Sequence, residues 1–310
     1  MDSWSSTGTA AATQSTRSSA ALALSATNAT PGDPVADMRF STNGSSYGPF
    51  IPYSTSASLT LPAGDGMKTV YVQFRNGAGA ISTAATDSIV LDQTAPTVTQ
   101  VPNPAFKKAT LGTTKIPIQI SWTATDTTSG INHSNLYESV DGGSFTLVAS
   151  PTGSKVTVKI NPGHSYRYRV AAVDNAGNTS AFGLGSTFTL SAYQEDNGAI
   201  TYSRGWSTDS FAGAYGGSVK YATVARKTAG FSFTGSQVAW VTTVNSDRGS
   251  ADLSVDAGST TTVSTNGGSL KTAIVKYVNK VSSGAHVLHL TVLGTSGTPR
   301  VDVDAFLVIN

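Results

Sequence analysis

Tyr166–Ser180 reads YRYRVAAVDNAGNTS, and an earlier stretch, Thr69–Ser82, reads TVYVQFRNGAGAIS. Each is an alternating run that ends in a small polar turn. In Thr69–Arg75 the residues Val70, Val72 and Phe74 share one face, and Tyr71 and Gln73 the other, which is the period of a half-buried strand. The turns NGAGAIS (76–82) and DNAGNTS (174–180) place Gly79 and Gly177 where a positive φ is needed. Their short polar neighbours can cap the turn with side-chain hydrogen bonds. Two copies roughly 100 residues apart predict tandem modules rather than one large barrel.

Strand-like runs extend outward from both copies. Ala21–Ala26, Ala36–Ser41, Ser56–Leu61 and Ser88–Leu91 surround the first. Ile116–Ala124, Asn135–Val140, Ser144–Val148, Lys155–Ile160 and Ser186–Leu190 surround the second. Ile116, Ile118, Ile120 and Trp122 fall on one face. Strands every eight to twelve residues with turn signals between them predict antiparallel sandwiches. Pro96 in DQTAP marks a junction. The organisation read from the chain is a flexible lead-in over 1–19, sandwiches over 20–95 and 96–192, and a third module over 193–310.

Composition agrees. The chain has 310 residues, enough for two or three domains, and 12% of them are charged, about half the usual share. Ser, Thr and Gly disfavour long helices. The net charge of +2 is spread without a basic stripe, which argues against nucleic acid. No apolar run approaches the roughly 20 residues that span a bilayer, so membrane insertion is not expected. Met1–Trp4 lacks a signal-peptide pattern, and Ser5–Ala20 reads as a linker cut from a longer secreted protein. The absence of cysteine excludes disulfides and Cys-based zinc sites.

From Tyr193 the pattern changes. YQEDNGAITYSRGW (193–206) reads as the first strand of the last module. Runs at 218–222, 229–233, 237–242, 251–255, 273–278, 286–293 and 301–309 follow it, about the number a jelly roll needs. Trp240 shares parity with Val238 and belongs to the core.

Three resemblances attach to these residues. Pro162–Tyr166 followed by YRVAAVDNAGNTS resembles fibronectin type III and related immunoglobulin-like domains. That likeness implies that Tyr166 is a tyrosine corner and Trp122 a core tryptophan. Residues 20–95, with MRFS (38–41) and GDGMKTVYVQFRNGAG (64–79), resemble bacterial Ig-like repeats. Residues 193–310, with FSFTGSQVAWV, DRGSADLSVD, SGAHVLHLTV and VDVDAFLVI, resemble a galactose-binding-like sandwich of the kind used as a carbohydrate-binding module. Together they imply an all-β chain of three consecutive antiparallel sandwiches. It would bind a polysaccharide or cell-surface glycan at or outside a cell surface. The alternative is a structural or adhesive, self-associating surface protein in which every module is scaffold.

Candidate site residues follow. Sugars stack apolar faces on aromatic rings and need fixed polar partners. Trp206, Phe211 and Tyr215 lie in a Gly/Ser/Thr-rich loop, and Asn245, Asp247 and Arg248 in another. Trp206 has a second reading, packed on the sandwich edge, as has Arg248, paired with Asp247. Calcium takes six to eight oxygens. Glu195 and Asp196 on the first strand, with Asp302 and Asp304 on the last, are the candidate ligands for a structural ion. Asp302 and Asp304 are two apart and read as sharing an outward face, where the alternative is a solvated polar surface. Catalysis is not expected. His133, His164, His286 and His289 show no metal-ligand spacing, and no GxSxG elbow or P-loop occurs.

Overall fold

A computed structural model describes residues 4–10, 14–28 and 32–310. The protein is all-β, and its strands lie in several mostly antiparallel sheets. They form two compact units. One comprises Met1–Thr99, Ala124–Asn135 and Ala171–Phe182, and the other Gln100–Thr123, Leu136–Val170 and Gly183–Asn310.

In the first unit a three-stranded sheet (Trp4–Ala10, Ser19–Asn28, Ser56–Thr60) and a five-stranded sheet centred on Gly66–Asn76 enclose one core. Ala20, Leu22 and Leu24 meet Met38, Val70, Val72, Phe74, Ile89 and Leu91. Part of the segment read as a lead-in is structured. Trp4–Ala10 pairs along its length with Leu22–Asn28, and Gln14–Ser15 pairs with Val90–Leu91. An edge strand held by main-chain bonds needs no apolar periodicity of its own, so the periodicity test passed over it. Residues 1–3 and 11–13 of that segment lie outside the described residues.

The two turn motifs are built alike. Gly79 has φ 90° and Gly177 φ 103°. Asn76 N–H donates to Ala80 O at 3.1 Å, and Asp174 N–H to Asn178 O at 3.1 Å. Ser82 Oγ accepts from Phe74 N at 3.0 Å, and Ser180 Oγ from Ala172 N at 2.9 Å.

In the second unit Ile116, Ile118, Ile120 and Trp122 are buried. The Tyr166 hydroxyl donates to Asn161 O at 2.9 Å and accepts from Asn161 N at 3.0 Å, so the tyrosine corner is formed. Phe188–Gln194 is a single strand. Its start pairs with Ser165–Tyr166, and Leu190–Gln194 pairs with Ala305–Ile309. The chain then turns at Glu195–Gly198, and a short strand, Ile200–Tyr202, follows. The Asn-Gly pair at 197–198 thus divides what reads in sequence as one strand over 193–201.

Thr228–Val244 and Lys271–Val292 form the long ladder of the last sandwich. Sequence reading breaks each of them at a glycine, whereas the structure keeps both continuous and absorbs the irregularity in register shifts near Gly235 and Trp240. A Cβ on Gly235 would lie 2.5 Å from Val308 Cγ1, so the glycine permits close strand approach. Trp240, Phe231, Phe306, Leu288 and Leu290 form the core.

Val301–Val303 pairs with Ser218–Ala222, while Ala305–Ile309 pairs with Gln237–Val241. The chain changes sheets at Asp304, and Val301 through Ile309 are all buried. The outward, shared face predicted for Asp302 and Asp304 is therefore corrected. Parity holds only within a continuous strand, and here both faces are covered.

Candidate functional site

The predicted sugar-facing residues separate. Trp206 is half-buried, its ring 5.0 Å from Tyr202, and its Nε1–H donates to Thr228 O at 3.1 Å. Phe211 lies under two guanidinium groups, Arg300 at 5.3 Å and Arg248 at 5.9 Å. Tyr215 is buried, so it presents no open face for stacking. Asn245 forms a turn, accepting through its carbonyl from Arg248 N and Gly267 N. Asp247 is exposed and binds Arg248 Nη1 at 2.6 Å.

Arg248 is 2% exposed, so it offers no free donor to a sugar. Its Nε lies 2.6 Å from Asp302 Oδ2 and 2.8 Å from Thr243 Oγ1. Arg300 Nε reaches Asp302 Oδ1 at 2.7 Å, and its Nη1 reaches Asp209 at 2.9 Å. Asp302 is thus held between two arginines, and its charge is matched.

Asp304 is different. Oδ2 accepts from Tyr215 N at 3.1 Å, and Oδ1 is buried without a partner. Burial, with Glu195 and Asp302 nearby, pushes its pKa up to about 7. Tyr215–Ser218 gathers the neighbouring groups. Ser218 Oγ donates to the Glu195 carboxylate, and the Gln194 amide lies against Gly216, its Oε1 buried without a partner. Glu195 is near enough to Asp304 to raise its pKa, and the Gln194 oxygen lies beside the same loop at Gly216. Asp196 is exposed. The four acids predicted as ligands do not make one centre. Asp302 is spent on arginines, which leaves Glu195 and Asp304.

Sequence reading missed a further group. Ligand atoms of Asp92, Asp126 and Asp174 lie within 4.8 Å of one another, and Asp92 and Asp174 are buried. Main-chain N–H groups cap them: Asp126 Oδ1 accepts from Ser129 and Gly130, and Asp174 Oδ1 from Gly177 and Asn178. The available signal was the aspartate in DQTAP together with the one that opens DNAGNTS.

A cleft of about 630 Å³ lies in the second unit. Tyr193, Phe233 and His286 supply rings, and Thr189, Ser191, Ser232 and Thr234 supply hydroxyls. His286 Nδ1 is 2.7 Å from Asp256 Oδ2 and Nε2 is 2.8 Å from Ser282 O. Both partners are acceptors, so the ring carries both protons. Its hydrogen bond to Asp256 raises the His286 pKa, and the same bond lowers that of Asp256.

No family model matches the chain. Endoglucanase B of Cellulomonas fimi is 34% identical over 180 residues, which are 55% of this chain and 16% of that protein. The match therefore spans well under two thirds of this relative. Among solved structures, fibronectin(III)-like modules of Clostridium thermocellum CbhA align over 60% of this chain and 91% of theirs, at 15% identity and a TM-score of 0.35. An exo-beta-1,3-galactanase from Phanerochaete chrysosporium, solved with galactose, aligns over 94% of this chain and 79% of its own, at 12% identity and a TM-score of 0.28.

Proposed function

We propose that the chain is a non-catalytic, extracellular multi-module fragment. Its C-terminal module (193–310) binds carbohydrate, and its Ig-like modules (20–95 and 96–192) act as spacers. The observation that carries this reading is the 630 Å³ cleft, where the half-buried Tyr193 and His286 rings stand beside four hydroxyls, with Phe233 buried behind them. Small-molecule sites combine apolar surface with a few placed polar groups in this way. The partial match to Endoglucanase B supports a glycan context. A structural cation, calcium by its preference for oxygen, is assigned to Glu195, Asp304 and the Gln194 oxygen.

A pull-down on insoluble polysaccharides with the intact chain tests the reading. Thr234→Trp fills the cleft from an exposed position and should abolish retention, while Trp206→Ala should leave it intact. Loss with Trp206→Ala alone would move the site to the loops.

A scaffold reading draws on one feature. The edge strand Thr146–Ala149 exposes Leu147 (55%) and Val148 (41%). Retention on no polysaccharide, with self-association that Leu147→Lys abolishes, would favour it.

A further inference from the structure

A second cleft of the same unit, about 520 Å³, has a different chemistry. Lys108, Lys271 and Lys276 line it, together with Thr110, Thr262 and Ser264. One wall is the strand from Lys271. Ile274 and Lys276 lie on its outer side, alternating with the buried Ala273, Val275 and Tyr277. Lys108 comes from a segment fastened to that strand's edge. Val275 N donates to Ala109 O at 2.9 Å, and Leu111 N to Ala273 O at 2.8 Å. The facing wall is Thr261–Ser264, the outermost strand of its sheet. None of the three ammonium groups forms an ion pair among the described residues, whose ion pairs all use arginine or histidine. No carboxylate lines the cleft. The nearest acid along the sheet, Asp252, accepts a hydrogen bond from Thr262 Oγ1 at 2.5 Å.

Like charges lining one concavity repel one another, and no ion pair among the described residues offsets that repulsion. A ligand with regularly spaced negative charges would. Two features select among polyanions. Exposed hydroxyls of Thr110, Thr262 and Ser264 suit a hydroxyl-bearing ligand. No aromatic ring lines the cleft, whereas single-stranded nucleic acid is held by stacking on such rings. We infer that this cleft binds an acidic polysaccharide, with Lys108, Lys271 and Lys276 facing its uronate carboxylates. The inference rests on the glycan-binding reading above, extends it to a charged substrate class, and uses a different surface.

The test is affinity electrophoresis of the full chain at low salt through gels containing polygalacturonate, dextran sulfate, a neutral glucan or poly(dT). Lys108→Gln/Lys271→Gln/Lys276→Gln is compared with the control Lys155→Gln/Lys159→Gln, two exposed lysines on another strand. Exposed charge contacts contribute modestly, so the triple variant should weaken polygalacturonate retardation by about tenfold. The control should not. Added salt should erase the parent's retardation. Arginine at the three positions should restore it. Retardation by polygalacturonate that the triple variant leaves unchanged, or that the control weakens equally, overturns the inference. So does stronger retardation by dextran sulfate or poly(dT), which would assign the cleft to sulfate or to nucleic acid. Binding to neutral glucan that responds to Thr234→Trp but not to the lysine changes tests the first cleft separately, so the two readings can fail independently.

Discussion

Asp302 and Asp304 stand two residues apart, both fully buried, and the protein treats them in opposite ways. Asp302 lies between Arg248 and Arg300, with Thr243 donating as well. Asp304 has one main-chain donor, Tyr215, one oxygen with no partner, and Glu195 as a neighbour. The first is a satisfied ion-pair network. The second is a charge that the folded protein disfavours unless something else arrives. A buried carboxylate therefore says little until its partners are counted, and the partners change wherever the chain leaves one sheet for another.

The largest effect is expected at the matched acid. Asp302→Ala leaves the buried Arg248 with only the exposed Asp247 as counter-charge, at a cost of about 3 kcal/mol. Urea unfolding followed by tryptophan fluorescence should show it. A loss below about 1 kcal/mol would mean that Arg300 and Thr243 do not constitute a network.

Asp304 should behave in reverse. Its folded pKa is raised from 3.8 to about 7, so between those values the native state binds more protons than the unfolded chain. Stability then falls as pH rises through that window, by up to about 4 kcal/mol. Asp304→Asn removes the titration. Without divalent ions it should be more stable than the parent at pH 8 and little different at pH 4. Calcium should raise the parent's melting temperature at pH 8 relative to EDTA, and Asp304→Asn should cancel that rise. A rise that survives the substitution would move the ion to Asp92, Asp126 and Asp174.

The sequence carried the fold further than the site. Alternation in Ile116–Trp122 and Val70–Phe74 identified buried faces directly, because a strand inside a sandwich shows one face to the core. The paired turns were legible because positive φ at Gly79 and Gly177 is a local requirement. Asp302 and Asp304 were misread because parity assumes one unbroken strand, and the break at 304 is made by partners 60 and more residues away. Trp206 and Arg248 were singled out by residue type, but residue type does not record exposure. The cluster of Asp92, Asp126 and Asp174 had only the aspartates of DQTAP and DNAGNTS as its signal, since its members meet only once three separate turns have closed.

The exposed counterpart of the matched acid is Asp256, which sits on His286 in the ring-lined cleft. The smallest effect belongs there. His286 has a folded pKa raised above 6.5 by its bond to Asp256, so its contribution is complete below pH 6.5 and is lost as pH rises through the folded value. Asp256 has a folded pKa below 3.8, so its contribution is present above that value and is lost as pH falls through the folded one. The pair is intact only between the two. In Asp304→Asn, where the larger titration is silent, melting temperature should decline slightly just above pH 6.5, and a further His286→Gln change should flatten that decline. If the decline stays, the proton belongs to a group other than His286, and an exposed carboxylate partner does not hold a histidine as firmly as two buried arginines hold Asp302.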